Sequence, residues 1–589
     1  MPDEAIASVT RAANDGKAGE PVGEPSSPAD SEASDRVLSV AELGLLAAAL
    51  VVGLVALVSL ATADLHHHTP VTVAVFSLSL LVVVAGLVAR LDRPAVRLDL
   101  AGLLPVLAGL AFAAVMLFPG FHYATGDRDP GAYVEHAVAI SRTHSINFPD
   151  DLVQAHLPGS TTVGAEWPAL WDQPGHPGMI FPQFYHLWPA LLATAKDTGG
   201  FVGLFNTGPL MGVLAVGLAA AAGRRIAGVP GAWAAAALLS TNMLEVWQAK
   251  YPTAEIFGQM LFSAAVLAIV ITIRTGWRTA AAAAGVLIGL SYLERADSLL
   301  LVLMGWGGLA VLYAARRFDQ RAGWFGIGLL VLLPYGFYQA YGLAKVYTLD
   351  NAVPTLAKVL AAMVGLAVLA ALLRWQHRPV ARLLAVFDRP RPRFVLGGVF
   401  IGICGLLALI GGLRQRLFGV DYGDYLGQPI RTYDEISLIR LSWFFSLPGM
   451  FLMFAGLVYV GWRRWQLDRW VIALPTVGLL AVYCYHVKNS PYLMWATRRF
   501  VTTVVPGMVL LMACGVALGI WLIGRYLPKL VAMGVMAALV IGLAVFDPSE
   551  SWPLRSHDEN GGSIAVEQQL TALAGNQQGV YLWFRSAYC

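Results

Sequence analysis

Long runs of apolar residues recur along most of the chain and constrain its fold more than any other feature. An α-helix needs roughly 20 residues to cross the hydrocarbon core of a bilayer. About fifteen runs reach this length, near residues 37–62, 70–90, 100–118, 200–222, 229–247, 254–274, 279–294, 298–315, 322–342, 353–374, 394–413, 441–462, 469–486, 500–524 and 529–546. Residues 279–315 fit either two short helices or one bent hairpin. The sequence therefore predicts an all-α polytopic membrane protein.

The charge content supports the same fold class. Only 13% of the residues are charged and 57% are hydrophobic, whereas soluble domains carry about 25% charged residues. The net charge of +3 is small and no basic cluster is interleaved with aromatic residues, which argues against nucleic acid as a partner. The four cysteines, Cys404, Cys484, Cys514 and Cys589, lack metal-ligand spacing.

The arginines at the ends of the apolar runs predict the orientation of the chain. If the runs are threaded alternately through a membrane, one side receives the loops that contain Arg90, Arg93, Arg97, Arg224, Arg225, Arg274, Arg278, Arg316, Arg317, Arg374, Arg378, Arg382, Arg463, Arg464 and Arg525. Lys and Arg near helix ends accumulate on the cytoplasmic side. We therefore expect a multi-pass protein of the plasma membrane with a cytoplasmic N-terminus and an extracytoplasmic C-terminus.

Composition divides the chain into three parts. Residues 1–36 are rich in Pro, Gly, Ser and acidic residues and predict a disordered cytoplasmic tail. Residues 37–546 form the membrane module, in which 119–199 is an external loop with surface helices. Residues 547–589 predict an extracytoplasmic segment, either a short appendage or a truncated domain, with a helix followed by a strand.

Two carboxylates, Asp127 and Asp129, follow the third apolar run. Asp129 and Pro130 suit the N-cap and first position of a helix. Apolar residues from Tyr133 to Ile140 recur at helical spacing, which predicts an amphipathic helix on the membrane surface. Asp129 fits either a helix cap or a chemical role, and the two interpretations stay open.

Two further outward turns carry charge. Lys250 and Glu255 flank a turn before a helix, where Glu255 is either a cap or a functional carboxylate at the bilayer edge. Arg295 and Asp297 lie at the apex between two apolar runs, where they either close a hairpin or belong to a site.

Arg498 and Arg499 are exceptions to the predicted concentration of Lys and Arg on the cytoplasmic side. They stand on the predicted outer side, at the N-terminal end of a helix, where the helix dipole disfavours a cation. Such cations indicate an anionic ligand, and phosphate matches the guanidinium fork. On the same side His186 lies in "PQFYHLWPALLA", a segment too short to span, where it fits a structural role better than a catalytic one.

These motifs together resemble the GT-C superfamily of lipid-linked glycosyltransferases. The Asp-x-x-x-Tyr pattern of Asp129 and Tyr133, which opens a surface helix ending in "ISRTHSI", is similar to the first external loop of the superfamily. The bacterial protein O-mannosyltransferase-like and aminoarabinose-transferase-like members look nearest, although His144 replaces their usual glycine. The same pattern is resembled by three later segments, "P-x-F-x-H-x-x-P", "K-Y-P-T-A-E" and "R-A-D". The resemblance is strongest over residues 115–300 and weak after residue 300, except near 498–506.

The resemblance implies a fold and an activity. The fold is a GT-C-like bundle of roughly 13–15 transmembrane helices with an external first-loop amphipathic helix. The activity is inverting transfer of a hexosyl or pentosyl group from a polyprenyl-phosphate sugar to a glycan, lipid or protein acceptor on the extracytoplasmic face.

The resemblance also implies roles for the residues above. Asp129 is the expected general base and Asp127 its rival. The donor phosphate is expected to bind cations, namely Lys250, Arg295, Arg498 and Arg499. Substrate contacts are expected from Glu255, Asp297, Tyr133 and His186. No cofactor is certain, and a divalent ion held by Asp127, Asp129 and Glu255 is an alternative.

A secondary transporter or flippase of a lipid-linked or anionic substrate is the competing class. Transporters carry ionisable residues near mid-membrane on broken helices, often within repeated halves. The predicted spans are almost free of ionisable residues at their middles, and no internal repeat is evident. The crowding of charge at one face therefore favours an interfacial active site.

Overall fold

The structure is a computed structural model that describes residues 37–92, 94–123, 128–149, 170–172, 178–349, 353–376, 390–425, 428–463, 466–486 and 493–574. Its helices are α1 Val40–Asp64, α2 Pro70–Leu91, α3 Leu100–Leu117, α4 Arg128–Thr143, α5 Leu187–Thr241, α6 Met243–Lys250, α7 Ala254–Thr275, α8 Arg278–Glu294, α9 Leu299–Ala314, α10 Gln320–Val331, α11 Leu333–Tyr338, α12 Lys345–Tyr347, α13 Val353–Trp375, α14 Pro390–Phe418, α15 Ser437–Val458, α16 Leu467–Tyr485, α17 Leu493–Val501, α18 Val504–Ile523, α19 Lys529–Ser556 and α20 Ser563–Ala574.

Short strands occur only between helices in the described residues. They are β1 Leu38–Ser39, β2 Val96–Arg97, β3 Phe148–Pro149, β4 Leu170–Asp172, β5 Met179–Pro182, β6 Tyr422–Tyr425 and β7 Gln428–Arg431. Strands β1 and β2 pair in parallel, β5 lies between β3 and β4 in an antiparallel sheet, and β6 and β7 form a hairpin. The sheet of β3, β4 and β5 lies in the predicted external loop, where the sequence predicted only surface helices.

The fold class predicted from the apolar runs is confirmed. Among the described residues, 13 helices of at least 18 residues are apolar enough to cross a membrane. Helix α8 has 17 residues and corresponds to the run at 279–294. The region 279–315 is two helices, α8 and α9, joined by a 3₁₀ turn at Ala296–Ser298.

The 55-residue helix α5 contains two of the predicted spans. Its backbone leaves the helical region at Gly200 and Gly228, where φ is 62° and 78°. A Cβ added to Gly223 would lie 3.1 Å from Cβ of Ala235, although 12 residues of straight helix would span about 18 Å. The chain therefore turns back on itself at Gly228.

Charged side chains collect at two ends of the bundle. At one end Arg225, Arg224, Arg274 and Arg278 pair with Glu42, Asp99, Asp468 and Asp92 respectively. The loops that supply these arginines were predicted to share one side of the membrane, and they lie together here. Which side this end faces stays a prediction.

The segment after residue 546 packs against the bundle. Helix α19 continues past the predicted boundary to Ser556, and α20 corresponds to the predicted helix, whereas the predicted strand lies outside the described residues. The backbone N–H of His122 donates to Oδ1 of Asp558 at 3.3 Å, and Nδ1 of His122 lies 2.8 Å from Oδ2 of Asp558. Oγ of Ser563 donates to the His122 carbonyl oxygen at 2.6 Å. This segment therefore contacts the chain just before the Asp129 helix.

Candidate active site

Helix α4 carries Asp129 in its first turn and packs its apolar stripe onto the bundle. Val134 and Ile140 are buried against the first part of α5. The helix begins at Arg128, one residue before the predicted cap, so Asp129 lies inside the first turn. Asp127, the rival base, lies outside the described residues. Burial of the stripe fixes α4 and hence the position of Asp129.

Asp129 forms an ion pair with Arg498. Nε of Arg498 also lies 3.5 Å from Oε1 of Glu255, and Nη1 of Arg295 donates to the same oxygen at 2.6 Å. Helices α4, α7 and α17 and the turn after α8 thus supply one charged network. These residues are far apart in sequence, and the bundle brings them together.

Asp297 and Arg499 extend the network. Nε and Nη2 of Arg295 donate to the two carboxylate oxygens of Asp297 at 3.0 and 3.1 Å. Arg499 donates through Nη1 to Oδ2 of Asp297 at 3.1 Å, and Tyr483 donates its hydroxyl to the same oxygen at 3.3 Å. Nε of Arg499 is buried and has no hydrogen-bond acceptor among the described residues.

The carboxylate side chains of the network differ in how much of their surface is exposed. The side chain of Glu255 is 2% exposed, whereas that of Asp129 is 26% exposed. Burial by itself lowers the pKa of Arg295, but the carboxylates of Asp297, Glu255 and Glu294 outweigh it and hold that pKa well above its usual range. Arg295 is therefore a permanent cation, and the partly exposed carboxylates of the network are Asp129 and, at 23% exposed, Asp297.

Glu294 is a member of this site that the sequence interpretation left without a role. Its side chain is buried, and neither carboxylate oxygen has a hydrogen-bond partner among the described residues. It stands next to Arg295 in "YLERADSLL", and this adjacency was the available signal. Tyr483 gave no comparable signal, because a tyrosine near the end of an apolar run is typical of the membrane interface.

Tyr133 lies beside the charged network, as the Asp-x-x-x-Tyr spacing requires. Burial and then the Glu255 carboxylate raise the pKa of Tyr133 well above its usual value, so its phenol stays protonated. Its ring centroid is 5.2 Å from that of Phe184. Tyr133 therefore offers a ring face and a hydroxyl donor at the site.

Two further residues expected at the site, Lys250 and His186, make contacts outside the charged network. Nζ of Lys250 donates to the carbonyl oxygen of Arg555 at 3.1 Å and sits 5.3 Å from the ring centroid of Phe121. Burial lowers the pKa of Lys250 to about 8. The buried ring of His186 meets His136 edge to face at 5.2 Å, and burial lowers the pKa of His186 well below its usual value. Among the described residues neither side chain contacts the arginines of the network.

The described residues hold no group of three or more His, Cys, Asp and Glu side chains arranged for a metal ion. Asp129 and Glu255 each contact arginine instead. Because Asp127 lies outside the described residues, the structure does not test the alternative of an ion held by all three carboxylates.

Comparison with solved structures identifies the fold. No family model matches the chain, and no curated protein matches it. The crystal structure of the Archaeoglobus fulgidus oligosaccharyltransferase in the apo form, a GT-C protein, matches with a TM-score of 0.51 and 12% sequence identity over 81% of this chain and 58% of that chain. The chain has the GT-C fold.

Two further structures of the archaeal enzyme are similar. The one tethered with an acceptor peptide gives a TM-score of 0.49 at 12% identity, with 81% of this chain and 57% of that chain covered. The complex of AglB with an inhibitory peptide and a dolichol-phosphate gives 0.47 at 11% identity, with 76% and 56% covered. The chain thus spans under two thirds of the archaeal enzyme's length, and at these identities the likeness concerns the GT-C fold.

Proposed function

We propose that this chain is a membrane glycosyltransferase that moves a sugar from a polyprenyl-phosphate donor to an acceptor on the extracytoplasmic face of the plasma membrane. The observation that carries the proposal is the ion pair of Asp129 with Arg498, set in a network with Arg295 and Arg499 at one end of a GT-C bundle. This arrangement supports the proposal, because it combines a partly exposed carboxylate with guanidinium groups, which match phosphate oxygens.

Asp129 acts as the general base in this proposal. It takes a proton from the acceptor nucleophile, whose oxygen or nitrogen then attacks the anomeric carbon of the sugar. The bond between that carbon and the phosphate oxygen breaks, and the polyprenyl phosphate leaves with the electron pair. A positioned base contributes about 10²–10⁴ in rate to such a step.

Arg498 and Arg499 stabilise the departing phosphate. Arg499 has a buried Nε donor without an acceptor among the described residues. Arg498 pairs with Asp129, whose carboxylate is partly exposed. A bidentate guanidinium–phosphate contact is short and strong. Arg295 binds two carboxylates and has less capacity for a third anion, so its role is to hold Glu255 and Asp297 in place.

Donor binding also frees the base. Before the donor binds, the Asp129 carboxylate is held in an ion pair with Arg498. When the donor phosphate draws Arg498 away, the carboxylate is released from that ion pair and becomes available to the acceptor. The expected kinetic order is therefore donor first and acceptor second.

The deciding experiment is a donor panel. Purified full-length protein in detergent is incubated with polyprenyl-phosphate sugars of several hexoses and pentoses, together with peptide, lipid and glycan acceptors. We expect release of polyprenyl phosphate with at least one pair. Failure of every donor, in protein that is folded by thermal unfolding, would count against glycosyl transfer.

One observation favours transport as a second candidate function. Helix breaks lie side by side inside the bundle, since Nδ2 of Asn242, between α5 and α6, donates to the Phe444 carbonyl oxygen at 2.9 Å, and Ser446 in α15 has φ of 55°. Glu245 is buried nearby in α6. Broken helices with buried carboxylates are typical of transporters. Detergent abolishes transport but not transfer, so donor consumption in micelles separates the two functions.

A further inference from the structure

A cavity of 540 Å³ lies at the opposite end of the bundle from Asp129. Glu255 belongs to the Asp129 network and Arg274 lines the cavity, and the two occupy opposite ends of α7. The 19-residue separation corresponds to about 28 Å of helix. The cavity is therefore separate from the proposed active site.

The walls of this cavity carry an excess of positive charge. Five guanidinium groups line it, from Arg97, Arg224, Arg225, Arg274 and Arg469. Three carboxylates line it, from Glu42, Asp99 and Asp468. Two positive charges are thus left over inside a space that has the volume typical of ligand sites.

The carboxylates leave two of the arginines without an acidic partner. Among the described residues the ion pairs are Arg225 with Glu42, Arg224 with Asp99, and Arg274 with Asp468. Arg469 and Arg97 form no ion pair among the described residues. They are the source of the excess charge.

Of these two arginines, Arg469 gives the stronger indication that the cavity binds a ligand. It is only 5% exposed. Its Nε and Nη2 donate to the Ile226 carbonyl oxygen at 3.2 and 3.0 Å, and Nη1 donates to the amide oxygen of Gln466. All these acceptors are neutral, and a buried cation is costly unless an anion pairs with it. Arg97, which is exposed on β2, adds a second guanidinium to the same cavity.

Asp468 adds an acceptor to the site. Its Oδ2 binds Arg274 at 2.6 and 2.8 Å, whereas its buried Oδ1 has no hydrogen-bond partner among the described residues. A ligand that fills the cavity thus meets two cations and one unpartnered carboxylate oxygen. This combination fits an anion that also carries a hydroxyl or ammonium donor.

We propose that this cavity binds a phosphate-bearing ligand, with Arg469 and Arg97 on the phosphate and Asp468 accepting a hydrogen bond from a hydroxyl or ammonium group of the same ligand. Guanidinium groups match phosphate oxygens two at a time. The shared chemistry is found in a phospholipid headgroup at the bilayer edge and in a soluble phosphate ester. The inference uses no part of the proposed glycosyl transfer.

Binding is measured on purified full-length protein with two probes, phosphatidylglycerol and glycerol phosphate. Native mass spectrometry counts retained lipid, and isothermal titration measures glycerol phosphate. Arg97→Gln is the main variant, because the exposed Arg97 side chain makes no hydrogen bond or ion pair among the described residues and its replacement should leave the fold intact. The matched control is Arg90→Gln, an exposed arginine at the same end that does not line the cavity.

We expect at least one probe to bind about tenfold more weakly to Arg97→Gln, the loss of one charge-assisted contact, with no change in Arg90→Gln. Arg469→Gln should weaken the same probe at least as much if it remains folded. Loss confined to phosphatidylglycerol assigns a lipid headgroup, and loss of glycerol phosphate binding assigns a soluble ester. Equal binding by Arg97→Gln and Arg90→Gln, or no binding of either probe to the wild type, overturns the proposal.

Discussion

The carboxylates of the charged network differ in what they contact. Asp129 reaches solvent and one arginine, whereas Glu255 is enclosed by Arg295 and Arg498. A buried carboxylate between two guanidinium groups stabilises the arrangement and is not free to accept a proton. The proposed chemistry therefore belongs to Asp129 and the structural role to Glu255.

Asp129→Asn should lower kcat/KM for sugar transfer by about 10²–10⁴, the contribution of a general base. The amide keeps the size of the side chain, so the thermal unfolding temperature should change little. Asp421→Asn is the matched control, because Asp421 is also a partly exposed carboxylate bound by an arginine. Unchanged transfer in Asp129→Asn would move the base elsewhere, with Asp127 the next residue to test.

Arg498 and Arg499 should act on donor binding before they act on the chemical step. Replacing both by Gln removes two charge-assisted contacts, so the donor Kd should rise by at least tenfold. Arg431→Gln, which removes a half-exposed ion pair with Glu435, is the control. A donor Kd that is equal in the double variant and the control, measured by titration with a non-transferable donor analogue, would contradict the assignment.

Glu255→Gln should destabilise the protein more than Asp129→Asn does. Loss of one partner from a buried ion pair leaves uncompensated charge and costs on the order of 3 kcal/mol. Arg295 and Arg498 both lose the negative charge that they share in this variant, because the amide of Gln is neutral. Thermal unfolding of the two variants in the same detergent gives the comparison, and equal midpoints would show that Glu255 has no such role.

At the scale of elements, the C-terminal segment holds the chain that leads into α4. Glu559 accepts hydrogen bonds from the hydroxyl groups of Tyr123 and Tyr251, and His557 stacks on Trp247. These contacts join the end of α19 to the residues before the Asp129 helix and to the end of α6. The segment is therefore a positioning element for the candidate site.

A double-mutant cycle on Tyr251→Phe and Glu559→Gln tests this contact. We expect a coupling energy of about 1 kcal/mol in unfolding, because Gln keeps an amide acceptor and the cycle measures the difference between a charged hydrogen bond of about 1.5–3 kcal/mol and a neutral one of about 0.5–1.5 kcal/mol. Glu559→Gln should also slow transfer without raising the donor Kd, since the phosphate ligands are untouched. Strictly additive effects on stability would show that the two side chains are not coupled.

At the scale of the whole molecule, the charges divide the bundle into two ends. One end holds four arginine–carboxylate pairs and the cavity with excess positive charge, and the other holds the Asp129 network. Positively charged loops favour the cytoplasmic side. This division predicts that the Asp129 end faces the extracytoplasmic side.

Single cysteines in a background without native cysteines test the orientation. Arg142→Cys on α4 should react with a membrane-impermeant maleimide in intact cells, whereas Leu98→Cys at the other end should react only after the cells are opened. Both positions are exposed in the structure. The reverse labelling pattern would invert the topology and place the candidate site in the cytoplasm.

Local residue patterns are enough to locate most helices of this protein. The apolar runs indicated which stretches of the chain form spanning helices, because a helix must satisfy its own backbone hydrogen bonds in lipid, although α19 continues past its predicted limit to Ser556. The Asp-Pro pair marked the start of α4 to within two residues through local capping chemistry. Spanning helices and helix starts depend on residues close together in sequence and on the surrounding membrane, so a short segment of sequence is enough to predict them.

Which charged side chains form ion pairs depends on how distant helices pack together. Arg498 and Lys250 looked alike in sequence as outward cations, yet helix packing carries Arg498 to Asp129 and turns Lys250 toward Arg555. The environment of Arg469 likewise depends on the fold, because the chain near the turn at Gly228 places the neutral Ile226 carbonyl oxygen against its guanidinium group. Ion pairs form over a few ångströms, so they depend on the angles at which distant helices cross, which no local pattern in the sequence contains.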